Sequence, residues 1–227
     1  MNKRRLAVIP ARGGSKRILR KNIKSFLDTP IILRVIKEIN KSDLFEEIHV
    51  STEDDEIRQL VTEYGCEPRF KRPKELADDF TPISDVINFT IKEYKKYGKT
   101  FDTIFLVFPT AAMLKSYIII DAVRKFESRN ADLEMISIKK YPVPIEWAYK
   151  IDPDSIVEPI SPDSLKKRSQ DLVDKYYETG EFVIYTSKSY NKNYPRIGYE
   201  IPYQTVDIDD ESDWLLAENL ARVQELK

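Results

Sequence analysis

Short apolar runs alternate along this chain with stretches that place apolar residues at helical spacing, and that alternation constrains the fold most strongly. Leu6–Ile9, Glu47–Ser51, Phe101–Phe108, Leu133–Ile138 and Glu181–Tyr185 have the length and branching of strands, with a weaker candidate at Cys66–Lys71. Between them, Ile31, Ile32, Val35, Ile36 and Ile39 form one stripe. Ile57, Leu60, Val61 and Tyr64 form a second, and Ile83, Val86, Ile87, Thr90, Ile91 and Tyr94 a third. Further helices are expected over about 117–128 and from about Glu211, where Trp214, Ala217, Leu220 and Val223 share a face. Strand, helix, strand, helix is the rhythm of a mostly parallel α/β sheet. With 227 residues, one such domain carrying an appendage is the expected organisation.

The punctuation supports this division. Asp28-Thr29-Pro30 predicts a helix start, with Thr29 as N-cap and Pro30 at the first helical position, and Thr52 is the expected cap of the second helix. Gly65 and Gly98 are placed to end helices. Residues 72–82 have no periodicity, so they form either a ligand wall or a plain surface loop. From Tyr141 to Tyr177 prolines recur and helical periodicity is lost. Short strands at about 146–151 and 155–160 are expected there, with Trp147 and Tyr149 on a half-exposed ribbon suited to a subunit contact.

Behind the first run comes Pro10-Ala11-Arg12-Gly13-Gly14-Ser15-Lys16-Arg17, continuing to Lys21-Asn22. Gly13 and Gly14 permit positive φ and close backbone approach, Ser15 adds a hydroxyl, and Arg12, Lys16, Arg17 and Lys21 add charge. The mixture suits a polyphosphate, although a solvated basic turn has the same composition. Neither the P-loop pattern nor G-x-G-x-x-G is present. In an open α/β sheet, ligands collect beyond the carboxyl ends of the strands. Arg12, Thr52, Thr110 and the 72–82 loop are therefore expected around one crevice.

Charge and rare residues exclude several functions. Charged residues make up 33% of the chain but balance to a net −1, so nothing global points to nucleic acid or an anionic membrane. One cysteine, Cys66, rules out an internal disulfide and a cysteine zinc cluster. The single histidine, His49, sits within a strand and is expected to pack there, which leaves histidine triads unsupported. No signal peptide or membrane-length apolar run is visible, so a cytoplasmic location is expected.

Asp207 and Asp209 lie two apart on an extended stretch that points both carboxylates to one side while Val206 and Ile208 face the core. Such a pair suits Mg²⁺, which combines one or two carboxylates with substrate phosphates. A structural role beside the following helix is the other reading.

Ile9-Pro10-Ala11-Arg12-Gly13-Gly14-Ser15-Lys16-Arg17-Ile18 through Lys21-Asn22 resembles the nucleotide-binding signature of the acylneuraminate cytidylyltransferases. Val50-Ser51-Thr52, Arg72-Pro73, Leu76-Ala77-Asp78-Asp79, Pro109-Thr110, Val206–Asp209 and Asp213-Trp214 follow in the family's order, so the resemblance spans essentially the whole chain. Ser15–Ile18, Tyr141-Pro142, Pro144-Ile145 and Arg168–Leu172 look most like the pseudaminic acid branch. Three features depart from the pattern. Tyr177–Glu181 replaces a His-Asp-Ala-Gly-Gln type run, Phe108 stands where the sialic acid enzymes usually have glutamine, and Ala111-Ala112 stands where those carry Ser-Pro.

The resemblance implies a Rossmann-like, three-layer α/β/α nucleotidyltransferase fold, with 141–177 as a dimerisation and sugar-site arm in a homodimer. It implies CMP transfer from CTP to the anomeric 2-hydroxyl of a nonulosonic acid. Arg12, Ser15, Lys16, Lys21 and the Gly13 and Gly14 backbone would hold the triphosphate, and Asn22, Arg72 and the Thr81 backbone the ribose and base. Asp207 and Asp209 would hold Mg²⁺, with Arg12, Lys16 and Lys21 completing the catalytic set. Arg168 would meet the sugar carboxylate, and Gln170 would assist it. Phe108 and Tyr177–Glu181 would shape the sugar pocket. The alternatives are legionaminic or N-acetylneuraminic acid as substrate, less so an octulosonic acid, and, in other classes, a CTP-binding regulator or a sugar-phosphate phosphatase.

Overall fold

A computed structural model describes residues 3–129, 132–186, 189 and 195–226. The elements in chain order are β1 (Arg5–Pro10), β2 (Ser25–Phe26), β3 (Thr29–Pro30), α1 (Ile31–Ser42), β4 (Glu47–Ser51), α2 (Asp55–Glu63) and α3 (Ile83–Lys96). They continue with β5 (Thr103–Val107), α4 (Ser116–Ser128), β6 (Met135–Lys140), β7 (Tyr149–Ile151), β8 (Val157–Pro159), β9 (Tyr176–Tyr185), β10 (Ile197–Glu200) and α5 (Glu211–Glu225).

Six strands form the central sheet in the order β10-β6-β9-β5-β1-β4. Among the described residues β9 alone runs antiparallel to its neighbours, so the sheet is mostly parallel, as the alternation predicts. Strand alternation divides the core into layers. Ala7 and Ile9 of β1 face α1 and α4, while Leu6 and Val8 face α3 through Ile87 and Tyr94. A smaller cluster seats α5: Trp214, Ala217 and Ala221 pack on Phe26, Ile31, Ala112 and Met113. The arm carries one antiparallel ribbon, β7 with β8, and is largely exposed.

Several boundaries differ from expectation. Thr29 does not cap α1: Thr29 and Pro30 pair with Phe26 and Ser25 in a two-residue hairpin, and the Ile31 N–H goes to the Lys24 carbonyl at 3.1 Å. The cap of α2 is Asp54, whose Oδ1 accepts from the Ile57 N–H at 3.0 Å, while Thr52 accepts from the Asp54 N–H. Cys66–Lys71 forms no strand. It is held there by packing: the Phe70 ring lies tilted against the His49 ring with centroids 4.3 Å apart, and Cys66 is buried, which pushes its thiol up to about 11. Trp147 lies in a 3-10 turn and donates to the Ser164 carbonyl, so it does not alternate with Tyr149 on the ribbon. Tyr177 belongs to β9 and Val223 is 56% exposed. The 203–209 stretch forms no strand, and β10 was not anticipated.

His49 is buried and both ring nitrogens lack a hydrogen-bond partner, so the ring stays neutral, its pKa lowered to about 3 by burial and by nearby Arg72 and Arg69. An unfolded histidine titrates near pH ~6.5, so below that pH the unfolded chain takes up a proton that the fold refuses. Stability therefore falls as pH drops from 6.5 towards 3. Denaturant titrations should show a loss of about 1 kcal/mol between pH 7 and 5.5, which His49→Phe removes because no other histidine is present.

Candidate active site

Pro10 ends β1 at the carboxyl edge of the sheet, where β4 and β5 also end. The basic turn that follows is pinned by short contacts. The Ala11 N–H meets the Ser51 carbonyl at 2.9 Å, Ile18 is fully buried, and the Asn22 Nδ2 donates to the Arg12 carbonyl at 2.9 Å. Arg20, at φ +55°, forks onto Asp54 at 2.6 and 2.9 Å, and Asp54 is held down to about 2, chiefly by that pair. The glycines work differently from the expectation, since neither Gly13 nor Gly14 has positive φ. Gly13 is needed for close approach: a Cβ there would lie 2.2 Å from the Asp54 carboxylate, and its N–H donates to Glu53 at 2.7 Å.

Arg12, Ser15, Lys16, Arg17, Lys21, Asn22, Arg72 and Thr81 line one crevice of about 580 Å³, walled by Leu76, Asp78, Asp79, Ile83, Val86 and Phe108–Thr110. The 72–82 loop is thus a wall of the cavity. Thr52 is not; it is buried and serves Asp54. Asp79 holds the turn's cations, pairing with Arg12 at 2.7 Å and with Lys16, and Arg12 also donates to the Asp78 carbonyl. Asp78 in turn accepts the Phe80 and Thr81 N–H groups. Arg72 is 4% exposed, and among the described residues its guanidinium is hydrogen-bonded only to Ser51, at Oγ 3.1 Å and at the carbonyl 2.5 Å, while its backbone N–H donates to the Thr52 carbonyl. Burial pulls its guanidinium down to about 10, so the fold keeps a costly positive charge at the crevice.

The C-terminal acidic stretch meets the turn at two points. The Lys21 ammonium donates to the Ile208 carbonyl at 2.6 Å, and Arg17 pairs with Asp209 at 2.7 Å. Burial lowers the Lys21 pKa while Asp209 and Asp207 oppose that shift. Burial and the neighbouring Asp209 charge raise Asp207. Asp213, in the capping box of α5 with Asp210, accepts the Asp209 N–H at 3.0 Å and fixes the stretch from its far end.

The arm residues lie elsewhere. Arg168 forks onto Asp171 at 2.8 and 3.0 Å with its side chain mostly exposed, and Gln170 lines a separate groove of about 360 Å³ with Tyr141, Pro142 and Lys175. Within one chain neither joins the crevice. Phe108 and Glu178 do flank a recess of about 290 Å³ that shares Ile83 and Phe108 with it. The Arg20–Asp54 fork and the apolar wall of Ile83 and Val86 were not foreseen. Sequence marked Ile83 and Val86 only as parts of a helical stripe.

A family model described as Cytidylyltransferase matches residues 6–211, nearly the whole chain. The chain belongs to this family. Among the relatives of this cytidylyltransferase is the pseudaminic acid cytidylyltransferase of Campylobacter jejuni, 34% identical over 185 residues, covering 82% of this chain and 79% of that one. The CMP-N,N'-diacetyllegionaminic acid synthase of Legionella pneumophila is 26% identical over 230 residues, covering 97% of each. In fold it resembles a solved CMP:2-keto-3-deoxy-manno-octonic acid synthetase complexed with CTP, with TM-score 0.71 at 14% identity over 98% of this chain and 99% of that one. No helix among the described residues is long and apolar enough to cross a membrane.

Because the Arg72 guanidinium is hydrogen-bonded only to the neutral groups of Ser51 among the described residues, with the nearby Glu53 charge offsetting part of its burial cost, removing it should cost little stability. Arg72→Met is expected to melt within about 2 °C of the wild type or above it, a shift set by well under ~1 kcal/mol in a domain of this size.

Proposed function

We propose that this cytidylyltransferase transfers CMP from CTP to the anomeric 2-hydroxyl of a nonulosonic acid, with pseudaminic acid as the preferred acceptor. The observation that carries the reading is the crevice itself. It gathers Arg12, Lys16 and Lys21 from one turn and Arg72 from another segment, and it touches the Asp207–Asp209 stretch through Lys21 and Arg17. The 34% identity to a protein named for pseudaminic acid supports the choice of sugar.

In the reaction the oxygen of the sugar 2-hydroxyl bonds to the α-phosphorus and gives up its proton to solvent, the bond from that phosphorus to the bridging oxygen breaks, and pyrophosphate leaves with the electron pair. Transfer of this kind asks the protein chiefly for positioning and charge neutralisation. Arg12, Lys16 and Lys21, with Ser15 and the backbone of Gly14, hold the triphosphate, which displaces Asp79 from Arg12 and Lys16; the expected Gly13 contact is not part of this set, because the Gly13 N–H is taken by Glu53. Asn22, Arg72 and the loop at Thr81 take the nucleoside.

The donor chemistry fits Mg²⁺. Asp207 and Asp209 are hard oxygen donors whose mutual repulsion Arg17 and Lys21 answer only in part. Held there by Asp207 and Asp209, Mg²⁺ would supply further charge neutralisation for the triphosphate. The sugar fits the recess behind Phe108 and Glu178. Arg168 and Gln170 serve a neighbouring subunit's site in a homodimer built on the arm, where Val143, Ile151 and Ile160 expose apolar surface.

Pyrophosphate release from CTP and Mg²⁺, measured with pseudaminic, legionaminic and N-acetylneuraminic acids in parallel, tests this. Release fastest with pseudaminic acid is expected. Preference for another acid would reassign the sugar, and CTP binding without release would make the chain a nucleotide-binding regulator. Asp209→Ala should lower turnover at least 100-fold in a folded protein, and Arg168→Ala should raise the sugar KM at least tenfold while CTP affinity holds.

A further inference from the structure

Glu181 is a buried carboxyl group that the proposed reaction does not use. It is 3% exposed, and its Oε2 accepts from the Tyr203 hydroxyl at 2.6 Å. Burial raises the pKa of this carboxyl group, while Tyr203, the neighbouring Thr205 and the Lys139 charge favour its charged form. Tyr203 and Thr205 belong to the unpaired stretch that runs straight into Asp207 and Asp209.

The backbone around Glu181 is equally specified. The β6–β9 ladder shifts register between Ile136 and Ile138, and the intervening Ser137 hydroxyl accepts the Glu181 and Phe182 N–H groups at 3.2 and 3.1 Å. Such irregularities re-aim a strand's side chains. Gly180, at φ +66°, brings β9 beneath the acidic stretch, where a Cβ on it would lie 3.5 Å from the Asp207 carboxylate. The Glu181 carbonyl accepts the Phe108 N–H at 3.0 Å, so the same residue holds the crevice wall.

We infer that Glu181 is a positioning residue: through Tyr203 it fixes the start of the 203–209 stretch on β9 and so sets where the Asp207 and Asp209 carboxylates stand relative to the crevice. The stretch has no ladder of its own, and its described polar tethers are Glu181 at its start, Lys21 on the Ile208 carbonyl, Arg17 on Asp209 and Asp213 at its end. Losing the first loosens the start of the stretch, and Asp207 with it, while leaving the basic turn intact. The part concerning metal and turnover rests on the function proposed above; the part concerning the position of the stretch does not.

The test compares Glu181→Leu, Glu181→Gln and Tyr203→Phe with the wild type, by hydrogen exchange of the 203–210 amides and by Mn²⁺ titration in the presence of CTP followed by electron paramagnetic resonance. Glu181→Leu and Tyr203→Phe should exchange at least fivefold faster at 203–210, with β5 and β9 unchanged. They should bind Mn²⁺ at least fivefold more weakly at unaltered CTP affinity. Glu181→Gln, which can still accept from Tyr203, should return both values to within about threefold. Should Glu181→Leu fail to fold, Tyr203→Phe decides alone, since it removes a single hydroxyl. Wild-type exchange at 203–210 in Tyr203→Phe, or acceleration spread over the whole sheet, overturns the inference. A wild-type protein that binds no Mn²⁺ overturns the metal assignment instead, and the exchange data then decide this one.

Discussion

The contact between the Lys21 ammonium and the Ile208 carbonyl spans 187 residues of sequence and joins the two ends of the chain's chemistry. One end is a turn crowded with cations and the other a stretch crowded with carboxylates. Each half is electrostatically unfavourable alone, and each lowers the cost of the other. Lys21 loses hydration on burial and recovers part of that loss from Asp209 and Asp207, while Asp207 is stabilised as an anion by Lys21 and Arg17. The surrounding fold serves this meeting. β1 delivers the turn, Ile18 and Trp214 bury the hairpin and α5 in one cluster, and Asp213 anchors the acidic residues.

The site also contains interactions that stability alone would not select. Arg72 is a charge buried without a carboxylate bonded to it, and the Arg12 and Lys16 cations are held by Asp79 in a way that a polyphosphate can displace. Preorganised positive charge of this kind is costly in the resting protein and is returned when an anion binds. The neutral core histidine shows the contrast. His49 contributes packing among Phe70 and Tyr94, and its pKa falls because burial and the nearby Arg72 and Arg69 charges disfavour the protonated ring.

Most of the architecture was legible because it follows from periodicity. The stripe on Ile31–Ile39 and the run Thr103–Val107 admit few alternatives, and the sheet, the parallel pairing and the position of the basic turn follow from them. What escaped depends on partners distant in sequence. Thr29 carries a cap signature, but Phe26 recruits it into a hairpin. Gly13 looked like a conformational glycine until Asp54 was seen against it. β10 alternates buried Ile197 and Tyr199 with exposed Gly198 and Glu200, yet it is too short for that pattern to stand out. The nucleotide side was readable because it is local. The arm residues Arg168 and Gln170 were readable only by resemblance, and a single chain leaves them apart from the crevice.

Through Lys21 the basic turn and the acidic stretch are coupled into one unit. Calorimetric titration of CTP and Mg²⁺ into the wild type and Lys21→Met tests this coupling most directly, with melting curves to establish that both are folded. Loss of at least tenfold in CTP affinity, together with a weaker enhancement of binding by Mg²⁺, is the predicted result. A folded Lys21→Met that binds CTP with wild-type affinity and wild-type metal enhancement would contradict the account.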